Sequence, residues 1–185
     1  MTQDSFRQFY TRELRKAYDA EIQMAKALPV IMEAASYPDL MRAFESHLEQ
    51  TKDHVVRMEM IVRAGTEIAE PDKCSVVESL ICELQRLTAE KLQSSALDLA
   101  LIAYTQAMEH YEIARYCSLR EYATSLGELD TATQLQNTLE EEQNFVRILS
   151  TMAPSLLATT VRAEETKPSS RPPSGKTGGE LESAA

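Results

Sequence analysis

The chain has 185 residues, enough for one domain with a sizeable core, and its formal net charge is -10. An acidic surface disfavours nucleic acid and anionic membranes as partners, because both require a basic face. The longest apolar stretch is broken by Asp98 and is far shorter than the ~20 residues needed to cross a bilayer. With 5 glycines, no tryptophan and little strand-like alternation, the composition predicts an all-α protein.

The N-terminus does not resemble a secretory signal, because residues 1–7 are polar and lack a basic region followed by an apolar run. The three cysteines, Cys74, Cys82 and Cys117, do not show the short paired spacings of zinc sites. We therefore expect a cytoplasmic protein with reduced and mostly buried thiols.

The first half of the chain predicts a helical hairpin. Helix α1 is predicted over about residues 5–35, with a kink or a lost backbone bond at Pro29 rather than an end. The segment 36–39 contains a proline and breaks the chain. Helix α2 is predicted over about residues 39–64, and Gly65 supplies its C-terminal stop.

The second half predicts another hairpin after a long connection. A loop and a short helix, α3, over about residues 75–86 form this connection, as a ferritin-type bundle requires. Helix α4 is predicted over about residues 89–125, and α5 from about residue 130 to a point before Pro154.

The composition changes near the C-terminus. The stretch 167–179 is mostly Pro, Ser, Gly and Lys and has no apolar periodicity, so it cannot bury enough surface to fold. The predicted organisation is a ferritin-like four-helix bundle over residues 1–156 and a disordered tail over residues 157–185.

Carboxylates interrupt three apolar helical stripes. Read at steps of three and four residues, each stripe predicts a buried helix face. Near its middle, α1 carries Glu21, α4 carries Glu109 and Glu112, and α5 carries Glu142. An unpaired buried carboxylate is unfavourable, so such groups are usually protonated, paired with a cation or bound to a metal. Four glutamates that converge in one core therefore indicate a metal site.

A repeated spacing places these glutamates at the same depth. Thirty-three residues separate Glu21 from His54, and the same number separates Glu109 from Glu142. Residues equidistant from a short turn lie side by side in antiparallel helices. Glu21 is therefore expected level with His54, and Glu109 and Glu112 within about one turn (~5 Å) of Glu142. Glu109 and Glu112 share a helix face, where they can bridge or chelate an ion.

Four motifs in this order resemble a known family. Over about residues 5–153 the chain is similar to the YciE/YciF family of bacterial stress-related ferritin-like proteins, and more broadly to rubrerythrin-type di-iron bundles. The resemblance implies an antiparallel four-helix bundle with a short extra helix in the crossover, and a stress-related role. The motifs are Tyr18-Asp19-Ala20-Glu21-Ile22-Gln23, His47-Leu48-Glu49-Gln50-Thr51, Glu109-His110-Tyr111-Glu112 and the run Leu139 to Gln143.

Helix α2 offers two candidate histidines. Depth favours His54, whereas the family motif favours His47 and Gln50, with Gln50 standing where the family commonly has a glutamate. Phe145 stands three residues after Glu142, where ferritin-like sites usually have a histidine. A neutral amide binds hard cations more weakly than a carboxylate, so the candidate site is poor in ligands. The predicted metal ligands are Glu21, His47, Gln50, His54, Glu109, Glu112 and Glu142.

These residues predict a ferritin-like protein that binds iron or manganese, as one ion or a dinuclear pair, although the ligands also suit zinc. Oxidase or peroxidase activity and metal sensing are both open, and no catalytic residue is assigned. The expected partners are divalent metal ions and a second copy of the chain in a homodimer. The alternative is a metal-free structural or interaction bundle. In it the glutamates form a polar layer that fixes helix register, and the C-terminal tail recruits a protein partner.

Overall fold

The structure is a computed structural model that describes residues 3–65, 70–90 and 92–165. These residues form five α-helices and no strand, so the predicted all-α class is confirmed. Within the same ranges, no helix is both long enough and apolar enough to cross a membrane. The helices are α1 (Gln3–Ala34), α2 (Pro38–Gly65), α3 (Ser75–Ala89), α4 (Ser94–Ser125) and α5 (Leu129–Glu165).

Two antiparallel hairpins, α1–α2 and α4–α5, pack into a four-helix bundle in which α1 contacts α4 and α2 contacts α5. Helices α1 and α4 are antiparallel, because Arg7 bonds Glu128 at one end of the bundle and Ser36 bonds Asp98 at the other. Helices α2 and α4 therefore run parallel on the diagonal, and the chain between them must travel the length of the bundle. Helix α3 lies in this crossover and packs on α1 and α4, which is the predicted ferritin-like topology.

Helix α5 is longer than the sequence predicts. The expectation that it ends before Pro154 is wrong, since Pro154 lies inside a helix that continues to Glu165. Proline removes one helical hydrogen bond, and the burial of Leu156 and Thr160 beyond it offsets that loss. Residues 157–165, which the sequence predicts to belong to the disordered tail, are thus helical, while residues 166–185 of that tail lie outside the described residues.

The boundary between α3 and α4 also differs from the prediction. Helix α3 extends to Ala89, and α4 begins at Ser94 rather than near residue 89. No glycine or proline marks this break in the sequence, so periodicity alone could not place it. Two other positions agree with the prediction: Pro29 lies inside α1, and Gly127 follows α4 with a φ of 76°.

The three cysteines are free thiols, of which Cys74 is buried, Cys117 is half-buried and Cys82 is exposed. The expectation of mostly buried thiols therefore fails at Cys82. Helix α3 covers the bundle with one face only, on which Val77 and Leu84 are buried, and Cys82 lies off that face.

Two apolar clusters fill the bundle. One contains Met24, Leu28 and Leu149 and is covered by α3, and the other contains Leu14 and Leu135 near the opposite end. Between these clusters, a layer of buried polar side chains crosses α1, α2, α4 and α5. We call this set the polar layer; its members are Glu21, His47, Thr51, His54, Thr105, Glu109, Glu112 and Glu142.

Candidate metal centre

Glu21, His54 and Glu142 form the first of two groups of candidate ligands in the polar layer. Their ligand atoms lie within 4.8 Å of one another, and no side chain is more than 1% exposed. Nδ1 of His54 lies 3.5 Å from Oε2 of Glu21 and 2.9 Å from Oε1 of Glu142. The predicted alignment of Glu21 with His54 is therefore confirmed. We call this group the His54 position.

His47, Glu109 and Glu142 form the second group, which we call the His47 position. Nε2 of His47 lies 3.2 Å from Oε1 of Glu109 and 3.8 Å from Oε2 of Glu142. Glu142 thus belongs to both groups and turns one carboxylate oxygen toward each histidine. Glu142 could therefore contribute one oxygen to each group.

Both candidate histidines lie in the polar layer, one in each group. The sequence left open which of the two is the ligand, and the structure makes both of them candidates. His47 and His54 are seven residues apart, which is about two helical turns, and they therefore share one face of α2. Phe145 occupies the place of the histidine that ferritin-like sites usually have, and its ring stacks on His47 with centroids 3.6 Å apart.

Glu112 and Gln50 lie at the margin of these groups. Glu112 is buried one turn from Glu109 but is a member of neither group of three. Gln50 is half-buried on α2, lies beside the His47 ring and lines a surface groove between α2 and α5 together with Glu141. The assignment of both residues as ligands stays a prediction.

The polar layer has more buried acceptors than donors to satisfy them. The 2.9 Å contact between His54 and Glu142 lacks the angles of a hydrogen bond. Leaving such atoms unpaired away from water is unfavourable, and a divalent cation would satisfy several of them at once. The residues therefore fit a metal ion. Within the polar layer, the buried atoms without a hydrogen-bond partner among the described residues are Glu21 Oε2, His47 Nδ1, His54 Nδ1, Thr105 Oγ1, Glu109 Oε2, Glu112 Oε1 and both carboxylate oxygens of Glu142.

Burial raises the pKa of three carboxyl groups in this layer. It raises the pKa of Glu109 and that of Glu142 to about 7, and it raises the pKa of Glu112 well above its usual range. Neighbouring carboxylates add to the effect, because like charges in a low-dielectric core disfavour ionisation. Without a cation, the polar layer therefore retains protons near neutral pH.

The two histidines differ in their pKa. Burial acts to lower the pKa of His54, but the carboxylates of Glu21 and Glu142 outweigh burial and raise this pKa to about 11. At His47, burial prevails and holds the pKa below its ordinary value. Near neutral pH, His54 is therefore protonated in the metal-free protein, whereas the neutral form of His47 is favoured.

Side chains outside the two groups hold the ligands of the His54 position. Nε2–H of His54 donates to Oε2 of Glu141 at 2.9 Å, and Nη1 of Arg57 donates to the same oxygen at 2.8 Å. The hydroxyl of Tyr116 donates to Oε1 of Glu21. These partners are of the kind that orient metal-binding side chains in proteins.

Glu141 and Arg57 are absent from the sequence-based prediction. Glu141 is the middle residue of three consecutive glutamates and directly precedes Glu142, which faces the core. Adjacent residues point about 100° apart around a helix, so the apolar stripe does not include Glu141. The side chain of Glu141 is 37% exposed, which fits that boundary position. Burial acts to raise the pKa of Glu141, but hydrogen bonds from Arg57 and His54 outweigh burial and lower it. Glu141 is therefore ionised and accepts from His54.

The fold and the polar layer together define a class of protein: a ferritin-like antiparallel helical bundle whose core carries two groups of carboxylate and histidine side chains. Comparison with known families makes the assignment specific. The family described as "Domain of unknown function (DUF892)" matches residues 5–162. The chain belongs to this family.

Two named proteins are similar to the chain in sequence and in fold. Protein YciF of Escherichia coli (strain K12) is 37% identical over 131 residues, which cover 70% of this chain and 79% of YciF. The crystal structure of the E. coli stress protein YciF matches with a TM-score of 0.79 at 32% identity, covering 85% of this chain and 99% of that one. YcfI from Rhodopseudomonas palustris matches with a TM-score of 0.77 at 33% identity, covering 82% and 98%. The expected resemblance to YciF is thereby confirmed.

Proposed function

We propose that this chain binds two divalent metal ions in its polar layer, one at the His54 position and one at the His47 position. Each ion receives one histidine, one glutamate of its own and a share of Glu142. The observation that carries the proposal is the set of buried ligand atoms at these positions that lack hydrogen-bond partners within the described ranges.

Iron and manganese are the metals that this ligand set favours. Carboxylate oxygen and imidazole nitrogen suit Fe(II) and Mn(II), and the two groups contain no thiolate that would select softer ions. Charge points to two ions rather than one. Four buried glutamates, when ionised, carry a charge that two divalent cations balance; these are Glu21, Glu109, Glu112 and Glu142.

A role in the stress response follows from similarity to YciF, which is named as a stress protein. The bound metal would serve either redox chemistry on a small oxidant or the sensing of metal levels. Repeated consumption of hydrogen peroxide by the iron-loaded protein, with a reductant supplied, would identify an enzyme. A single oxidation without further turnover would identify a storage or sensing role.

Elemental analysis of protein purified without chelator tests the metal proposal directly. Calorimetric titration of the chelator-treated protein with Mn(II), and with Fe(II) under anaerobic conditions, should show about two ions per chain. Anomalous scattering from metal-soaked crystals should then lie in the polar layer. If neither metal binds, the proposal is wrong.

A metal-free structural bundle is the alternative function. It is favoured by the close approach of each histidine to glutamates, since a protonated histidine can neutralise a buried carboxylate. YcfI, one of the similar proteins, is named as a putative structural protein. On this alternative the purified protein contains no metal and gains no stability when Mn(II) or Fe(II) is added.

A further inference from the structure

The histidine of the His54 position is oriented by an ionic network. Nε2–H of His54 donates to Glu141, so Nδ1 faces Glu21 and Glu142. Arg57 donates to the same oxygen of Glu141 and also to the hydroxyl of Thr138, which lies on the same helix as Glu141. An imidazole that donates one N–H to a carboxylate is fixed in tautomer and ring orientation, and it becomes a stronger metal ligand through its other nitrogen.

The glutamate of the His54 position is held as well. Tyr116 donates its hydroxyl to Oε1 of Glu21, while Oε2 of Glu21 faces Nδ1 of His54. Tyr116 is 1% exposed, so water does not compete for this hydrogen bond. Both ligands that belong to the His54 position alone are therefore preorganised by their neighbours.

The His47 position lacks comparable support. In the described part of the chain, Nδ1 of His47 and Oε2 of Glu109 have no hydrogen-bond partner. Gln50 is within reach of the His47 ring and interacts with it, but the contact lacks full hydrogen-bond geometry at Nδ1 and the amide carries no charge. Phe145 restricts the tilt of the ring by stacking but offers no acceptor. An ion at this position must therefore order its own ligands, which weakens its binding.

We propose that the two positions bind metal unequally and in order, the His54 position first and tightly and the His47 position second and weakly, with Glu141 as the positioning residue of the first. The inference rests on the proposed function. It adds that the ion at the His54 position is retained, whereas the ion at the His47 position exchanges with solution. Partners of this kind typically change metal affinity by about 10–100-fold, so the two binding steps should differ by at least about tenfold.

Two cations that share Glu142 lie close together and repel each other. This repulsion makes the second ion bind more weakly than the first even if the two positions are equivalent. The test must therefore identify the positions as well as the steps. In a calorimetric titration with Mn(II), Glu141→Gln should weaken the tighter step by about 10–100-fold and leave the weaker step nearly unchanged. Glu140→Gln removes the same charge from the adjacent, exposed residue outside both groups, and should leave both steps as in the wild type.

His47→Gln provides the complementary variant, which should lose the weaker step and keep the tighter one. With one equivalent of Mn(II) on the wild type, anomalous scattering should lie beside His54. Equal weakening of both steps by Glu141→Gln, or a first ion beside His47, would overturn the inference and leave the two-ion function intact. Failure of the wild type to bind Mn(II) or Fe(II) would instead refute the proposed function. Circular dichroism should be used to check that each variant is folded, and the 37% exposure of the Glu141 side chain predicts that Glu141→Gln is.

Discussion

Glu142 is the carboxylate that both candidate metal positions share. Its side chain is 1% exposed, and neither of its oxygens has a hydrogen-bond partner among the described residues. Burial and the charge of Glu109 raise its pKa to about 7. In the metal-free protein the desolvation of Glu142 and its repulsion with Glu109 therefore outweigh its attraction to His54 and His47.

We expect Glu142→Ala to abolish Mn(II) binding at both positions and to leave the chelator-treated protein no less stable than the wild type. Titration calorimetry measures the first effect, and denaturant melts in chelator measure the second. Glu140→Ala, at an exposed position of the same helix, is the control. A loss of about 1–3 kcal/mol in the metal-free variant would instead show that Glu142 belongs to a satisfied polar layer.

At the scale of the helix, α5 continues beyond Pro154 because side chains after the proline are buried. Leu156 is 6% exposed and belongs to the apolar cluster that α3 covers, whereas Leu157 is 53% exposed. The two leucines are adjacent and chemically identical, so they form a matched pair for measuring what the extension contributes.

We expect Leu156→Ala to lower the free energy of unfolding by about 2–3 kcal/mol, because it removes buried methyl groups and leaves a cavity. Leu157→Ala should change it by no more than about 0.5 kcal/mol. Chemical denaturation of both variants provides the measurement. Equal effects would mean that α5 does not dock through Leu156.

Asp98 ties the start of α4 to the turn between α1 and α2. It is 1% exposed, and its carboxylate accepts from the backbone N–H of Ser36 at 2.7 Å and from the Ser36 hydroxyl at 2.6 Å. The contact joins segments 62 residues apart and thus aligns the two hairpins.

We expect Asp98→Ala to destabilise the protein by about 1–3 kcal/mol, since it removes the charged acceptor of both Ser36 hydrogen bonds. Asp98→Asn retains one oxygen acceptor and should be milder. Hydrogen exchange at the Ser36 amide, measured with the denaturant melts, should accelerate in the order wild type, Asn, Ala. An unchanged exchange rate in the alanine variant would argue against this role.

At the scale of the whole molecule, protons and metal compete for the polar layer. The pKa of Glu109 and that of Glu142 rise from 4.5 to about 7 on folding, and the pKa of His54 rises from 6.5 to about 11. For each of these groups, at a pH between its pKa in the unfolded chain and its higher pKa in the folded chain, the folded chain binds more protons than the unfolded chain. The stability that these groups contribute is therefore complete below about pH 4.5 and is lost as the pH rises through about 7 and beyond. Folding lowers the pKa of His47, so His47 alone among these groups makes the protein more stable as the pH rises.

We expect the melting temperature of the chelator-treated protein to fall between about pH 5 and pH 8. The lowered pKa values of Glu13 and Glu141 act mainly below pH 4.5, outside this window. Metal binding displaces the protons of the polar layer, so the stabilisation by Mn(II) should grow over the same range. Calorimetric scans with chelator and with Mn(II) measure both trends. A chelated protein that becomes more stable toward pH 8 would contradict the protonated polar layer.

The helical class, the hairpins and the depth of the buried glutamates could be predicted from the sequence. Apolar stripes at helical spacing report which way a side chain points from its own helix axis, and this put Glu21, Glu109 and Glu142 in the core. The constant rise of an α-helix turned the repeated spacing of 33 residues into a shared level. A homodimer and a protein partner for the C-terminal tail remain predictions from the sequence.

Which residues at the edge of each stripe reach the polar layer could not be predicted from the sequence and depends on how the helices pack. His47 and His54 both enter it, Glu141 and Arg57 support it from the boundary, and Pro154 fails to end α5. These outcomes depend on how far each helix is rotated about its axis and on what lies opposite it. The packing of all the helices fixes that rotation, and the periodicity of a single segment does not contain it.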